Sequence, residues 1–351
     1  MTSWREIHIQ AAREAERAHR ELDVDTSRRI DPFVALAQSG VIVMRRRLDG
    51  LAGIYMPGNA DDASPPGVMI NAAHPLSKQR FTAAHELAHH RRDRSFTLDA
   101  DTEWAGRGEH SSSDRERFAE AFAAWYLMPR SLVRAGLSEL SLRASDLTPE
   151  GAYALSLRLS TSYSATVHHL ADMKLITRER ANQLLRVFPQ AVKQSLGALD
   201  VLSDSRKNVW LLRNDRTYPA PLEVQEGDAL VLDLDEILSS GYVWQAATAP
   251  SGIKFVRDEY RGLNDGEVGG ACAHRFVYRA ETNGRRSLVF EMRRPWQTDS
   301  PAVDNVRVDV EVQPKPASGL IDPSVLYAHA VGRRVVRRPA GPNGADQGSG
   351  P

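Results

Sequence analysis

The segment His85-Glu86-Leu87-Ala88-His89 constrains this 351-residue chain more than any other. On an α-helix, residues four apart lie one above the other on the same face. Two imidazoles at that spacing can share one tetrahedral metal ion, and Glu86, next to the first, can lean toward a water on that ion. The lead-in Phe81-Thr82-Ala83-Ala84 offers Thr82 as a cap and two alanines that favour helix. A helix is therefore predicted over about 78–91.

The pattern is that of zinc hydrolases, and a catalytic zinc takes three protein ligands while one position stays open. The third ligand is expected from a second helix packed on the first. Glu116 is the candidate, at the head of a run where Phe118, Phe122, Trp125 and Tyr126 recur at helical spacing until Pro129 ends it. Glu116 and Glu120 lie one turn apart, so one can bind metal while the other supports a ligand from behind. Without the two histidines, both would read as ordinary solvated glutamates.

Composition narrows the setting. The 45 basic and 45 acidic residues balance, so no global field draws in nucleic acid or a membrane surface. No apolar run reaches bilayer length, and the first residues begin a charged helix rather than a signal peptide. A single cysteine, Cys272, excludes an internal disulfide. A cytoplasmic protein with two or three domains is expected.

Along the chain, residues 4–22 read as an amphipathic helix and 33–38 as a second, closed by Gly40. Three short strand patterns follow, over 40–44, 51–55 and 68–71. Residues 93–113 carry Gly106, Gly108, the run Ser111-Ser112-Ser113 and mixed charge, which reads as a loop between the two ligand-bearing helices. His110 lies there, as a surface histidine or as a stabiliser of the transition state. Beyond Thr148-Pro149-Glu150, a good helix start, a helix, a short break at 160–162 and a second helix have the shape of a helix-turn-helix. The second helix offers His168 and His169 but few cations, so packing against the preceding domain is the expected role rather than DNA reading.

Arg80-Phe81-Thr82 before His85-Glu86-Leu87-Ala88-His89, then Glu116-x-x-Ala119 and Phe122-Ala123-Ala124 running into Leu127-Met128-Pro129, resembles the ImmA/IrrE metallo-endopeptidases. The resemblance implies zinc held by His85, His89 and Glu116, with manganese as the alternative, and Glu86 as general base. It departs at Glu120, where Asn or Asp is usual, and at Ala88, where Gly is common. Tyr126, Tyr55 and His110 are the candidate oxyanion donors. The implied substrate is a regulatory protein such as a DNA-bound transcriptional repressor.

From about residue 198 the patterning changes. Alternation over 229–234, 274–278, 287–292 and 306–312 argues for a β-sandwich. Gly241-Tyr242-Val243-Trp244, Gly269-Gly270 and Arg294-Pro295-Trp296 resemble, in order and spacing, the three loops of the chagasin inhibitors of papain-type cysteine peptidases, which are immunoglobulin-like domains. Ile237-Leu238-Ser239-Ser240 stands where that family reads Asn-Pro-Thr-Thr. Trp244 and Trp296 are read as contact residues on a rim or as core anchors.

The expected fold is α+β. A zincin-like metallopeptidase domain, with a small sheet and the metal helix, spans 1–140, and a helix-turn-helix-like segment spans 141–197. An immunoglobulin-like sandwich spans 198–316, and an extension spans 317–351, with a Gly- and Pro-rich tail from about 339. The expected function is zinc-dependent endopeptidase, its sandwich recruiting substrate, regulating turnover or contacting the chain's own cleft. The alternative is a non-catalytic, metal-stabilised protein whose sandwich docks or inhibits a cysteine peptidase. Direct nucleic-acid binding and membrane association are not expected.

Overall fold

The computed structural model describes residues 2–59, 61, 63–100, 113–213, 221–247, 250–262, 271–297 and 301–322. Helices α1 (Trp4–Glu21) and α2 (Pro32–Gln38) precede strands β1 (Ile42–Arg46), β2 (Leu51–Met56) and β3 (Gly67–Asn71). Local chemistry sets both helix starts. Ser3 and Glu6 form a reciprocal capping box on α1, and Asp31 caps α2 with Pro32 in its first turn. The metal-motif helix is α3 (Leu76–Arg92), followed by β4 (Thr97–Ala100) and α4 (Asp114–Leu127). The expected loop over 93–113 thus contains a strand. Its alternation is short and inverted, with Thr97 buried and Leu98 exposed, and pairing with β2 makes it extended.

Helices α5 (Arg130–Glu139), α6 (Pro149–Leu159), α7 (Tyr163–Asp172), α8 (Arg178–Leu185) and α9 (Pro189–Ser195) form a layer behind this unit. The face of α7 that a DNA groove would need is used in packing. Tyr163, Val167, His169 and Leu170 are buried; the His169 ring sits edge-on to Trp125 of α4, with Nε2 3.0 Å from the Met128 carbonyl.

The remainder is a sandwich of strands β5 (Val209–Arg213), β6 (Leu222–Gln225), β7 (Ala229–Ile237), β8 (Val243–Ala246), β9 (Ile253–Gly262), β10 (Ala271–Ala280), β11 (Gly284–Arg293) and β12 (Asp304–Gln313). One sheet runs β5-β7-β10-β9 and the other β6-β12-β11-β8. Leu230, Leu232, Phe276, Leu288, Phe290 and Val310 fill the space between them. The opposite face of the first sheet is covered too: Val209, Ala229, Val231 and Val277 belong to the core of the helical layer. This is why β7 is buried along most of its length rather than on alternate residues. On that covered face Arg275 donates Nε and Nη2 to the two Asp233 carboxylate oxygens, both at 2.6 Å, and Nη1 to the Leu196 carbonyl at 2.9 Å.

Strand pairing fixes which end faces where. Ile237 lies opposite Ala271, Gly262 opposite Cys272 and Val243 opposite Arg293, so three connections leave from one end. The chain enters at the other end, where Val209 pairs with Ala229, and departs there from Gln313 beside Gln225. It then returns to the N-terminal sheet. Strand β13 (Gly319–Leu320) pairs antiparallel with β1, and the Ile321 N–H donates to the Val43 carbonyl at 2.9 Å. The first sheet therefore runs β13-β1-β3-β2-β4. No helix among the described residues is long and apolar enough to cross a membrane.

The Arg275–Asp233 pair is buried, so removing one partner strands the other's charge. Arg275→Ala is expected to cost about 3–5 kcal/mol in denaturant unfolding. A change below ~1 kcal/mol would show that the pair does not hold the sandwich to the helices.

Candidate metal centre

Helix α3 is buried on almost every side, from Gln79 to His90. It lies between the sheet and α4, and small residues allow the close approach: Ala83, Ala84 and Ala88 on α3, Ala119, Ala121 and Ala123 on α4. Gly53 of β2 is required by the same packing. A Cβ there would sit 2.5 Å from Thr82 Cγ2 and 2.6 Å from Glu86 Oε1.

Four side chains converge where α3, α4 and β4 meet: His85, His89, Glu116 and Asp99, with one ligand atom from each within 4.8 Å of all the others. Nε2 of His85 is 3.1 Å from Nε2 of His89, 3.2 Å from Glu116 Oε2 and 3.4 Å from Asp99 Oδ2. Glu116 Oε2 is 3.5 Å from His89 Nε2. Metal–ligand bonds of 2.0–2.1 Å at tetrahedral angles place neighbouring ligand atoms about 3.3 Å apart. The donor set therefore has the spacing, the mixed imidazole–carboxylate chemistry and the burial that a divalent transition metal requires.

Electrostatics point the same way. Burial opposes charge on His85, but Asp99 and Glu116 overcome it and raise its proton affinity well above the usual histidine range. Hydrogen bonds from His85 and His89 hold the Glu116 carboxyl far below its ordinary range, so it stays ionised. Burial and then the Asp99 charge push Glu86 upward. The pocket is built to hold positive charge. Behind it, Asp93 Oδ2 lies 3.5 Å from His89 Nδ1 and is paired with Arg115, whose Nε is 3.2 Å from the same nitrogen. The Arg115 Nε–H, itself paired with Asp93, donates to this nitrogen and so fixes the plane of the His89 ring.

Glu86 is completely buried beside this cluster. Its Oε2 accepts from Thr97 Oγ1 at 3.2 Å, and its Oε1 has no partner among the described residues. Two expected oxyanion donors are displaced from the site. The Tyr55 hydroxyl is buried against His90 Nδ1 at 3.1 Å, and Tyr126 is buried in the α1–α4 core, stacked on Phe122. Each ring supplies core volume. His110 lies outside the described residues. Glu120 is exposed and outside the convergent set; Asp93 fills the supporting role expected of it. Asp99 and Asp93 were missed by the sequence reading. An aspartate four residues beyond His89 was the available signal for Asp93.

At the loop-bearing end of the sandwich, the Trp296 ring packs on Gly241, where a Cβ would come within 2.7 Å of Cη2, and the Arg294 guanidinium lies 4.6 Å from the Tyr242 ring centre. Trp296 is exposed. Trp244 is an anchor rather than a contact residue: it is buried and its Nε1 donates to the Asp235 carbonyl at 2.9 Å. Pro295 lies between Arg294 and Trp296, and Gly269 and Gly270 fall outside the described residues. The rim is separated from the chain's entry point by the length of β7, roughly 26 Å. The rim thus lies at the opposite end of the sandwich from the chain's entry point.

Residues 37–170 match the IrrE N-terminal-like domain of the M78 peptidases, and residues 223–310 match the chagasin family peptidase inhibitor I42. No curated protein matches the chain. Among solved structures, it is similar to the cysteine protease inhibitor EhICP2 from Entamoeba histolytica, at 16% identity and TM-score 0.28 over 30% of this chain and 97% of that one. It is also similar to Amebosin, at 18% and 0.24 over 31% and 97% of the two chains. PbICP-C, in complex with falcipain-2, gives 17% and 0.22 over 30% and 91%. The chain thus carries an IrrE-like peptidase-family region followed by a chagasin-family region.

Purified protein is expected to bind about one divalent transition metal per chain. His85→Ala, His89→Ala and Glu116→Ala should each abolish stoichiometric binding, while Glu120→Ala should not. Metal analysis after dialysis reads this directly; loss of metal in Glu120→Ala would move the ligand assignment.

Proposed function

We propose that this protein is a metal-dependent endopeptidase that cleaves a regulatory protein, a DNA-binding repressor being the favoured class. The observation that supports this most is the tetrahedral spacing of His85, His89 and Glu116 beside a buried, non-ligating Glu86. The match of residues 37–170 to a peptidase family agrees with it. A bound zinc or manganese ion would polarise the scissile carbonyl and acidify water. The chain's own groups do the rest. His85, His89 and Glu116 form the ligand cradle, and Asp93 orients His89. Glu86, buried beside the cradle and outside its ligand set, is the general base; it takes a proton from the attacking water and delivers it to the leaving amine. Gly53 leaves the space in which that carboxylate sits. A cytoplasmic setting accords with a chain whose single cysteine permits no internal disulfide.

A second reading is favoured by the exposed Trp296, packed on Gly241, with the half-buried Arg294–Tyr242 contact beside it. Tryptophan and arginine are the residue types that most often anchor protein interfaces. The rim docks a protein, either the substrate or a cysteine peptidase. Its Ile237-Leu238-Ser239-Ser240 segment weakens papain-type inhibition relative to the chagasin pattern.

Glu86→Gln should keep metal and fold while cleavage of a co-expressed repressor falls about 10²–10⁴-fold. Undiminished cleavage would count against the mechanism. Titrated against papain, the full chain should give no tight inhibition. Tight inhibition would instead make the rim a cysteine-peptidase site.

A further inference from the structure

Asp99 is the fourth group at the site, and the nitrogen it faces decides its role. A supporting carboxylate faces Nδ1 of a ligating histidine, as Asp93 does at His89. Asp99 instead faces Nε2 of His85, the same atom that faces His89 and Glu116. Its 3.4 Å separation from His85 matches the edge of about 3.3 Å expected between ligands of one tetrahedral ion, and its ligand atom lies within 4.8 Å of those of His89 and Glu116. Resting on the metallopeptidase reading above, we propose that Asp99 is a fourth ligand that closes the metal site, and that β4 must carry it away before peptide cleavage can occur.

Two further observations support this. A four-ligand tetrahedral site has the closed form of structural zinc, whereas hydrolysis needs three ligands and an open position. The strand that brings Asp99 also holds the general base, because Thr97 Oγ1 donates to Glu86 Oε2. One displacement of β4 would free both. β4 is suited to such movement: it has four residues, it forms the edge of its sheet, and its pairing with β2 shifts register between Leu51 and Gly53. Phe96 and Leu98 are exposed, so little apolar burial holds the strand in place.

The test loads full-length wild type and Asp99→Ala with Co²⁺ and follows visible absorption during an azide titration. The wild-type spectrum should not respond to azide, whereas the Asp99→Ala spectrum should shift as azide takes the vacated position. In a chelator competition Asp99→Ala should hold Zn²⁺ at least about tenfold more weakly. Asp99→Asn, which preserves volume, should become azide-sensitive in the same way and serves if the alanine variant does not fold. A wild-type spectrum as responsive to azide as that of the variants would overturn this proposal and leave the peptidase reading standing. Failure of every form to take up Co²⁺ would overturn both.

Discussion

A helix that carries two imidazoles and a carboxylate through the middle of a protein core can exist only if its surroundings answer those charges. Helix α3 is such a helix. Its apolar residues are mainly alanines, its neighbours lie on nearly every side, and the stabilisation must come from pairing as much as from burial. Glu116 from α4, Asp99 and Thr97 from β4, and Asp93 at the helix end supply the partners. α4 packs directly on α3 and Asp93 ends that helix, while β4 is brought to the site by its pairing with β2, so the partners converge on the metal helix from two sides.

Much of this was legible in the sequence because spacing carries it. The His85–His89 interval and the aromatic period of α4 each imply a helix, and a three-ligand site implies a donor on a second helix. What stayed hidden depends on tertiary pairing. Asp99 lies in Thr97–Ala100, where the polar residue Thr97 is buried and the apolar Leu98 is exposed, so hydropathy points to the wrong face. Tyr55 and Tyr126 carry phenols of the kind that stabilise an oxyanion, but a sequence does not distinguish a phenol at a cleft from one in a core. In the sandwich, β7 shows as a run of apolar residues, and β11 and β12 show their buried faces by alternation. β6 and β8 are only four residues each, and β9 is exposed along most of its length, so its pattern carries no buried face.

The sandwich is joined to the helices by a shared core rather than by a linker. Val209, Ala229, Val231 and Val277 face the helical layer, and Arg275 bridges Asp233 to the Leu196 carbonyl. Cutting the chain near residue 200 would expose that apolar face and leave Asp233 and Arg275 without their third partner. The rim at the far end is free of this constraint, so its residues can change without disturbing the junction.

The return of β13 to β1 has a consequence for how the chain is made. The partner that completes the β1 edge lies about 275 residues further along the chain. At synthesis rates of about 5–20 residues per second, the nascent N-terminal sheet waits roughly 15–55 s for it. During that interval Ile42–Arg46 presents an open strand edge, the kind that invites mispairing between chains. Arg45 and Arg46 on this strand act as its interim guard, since charge on an edge discourages a second strand from docking.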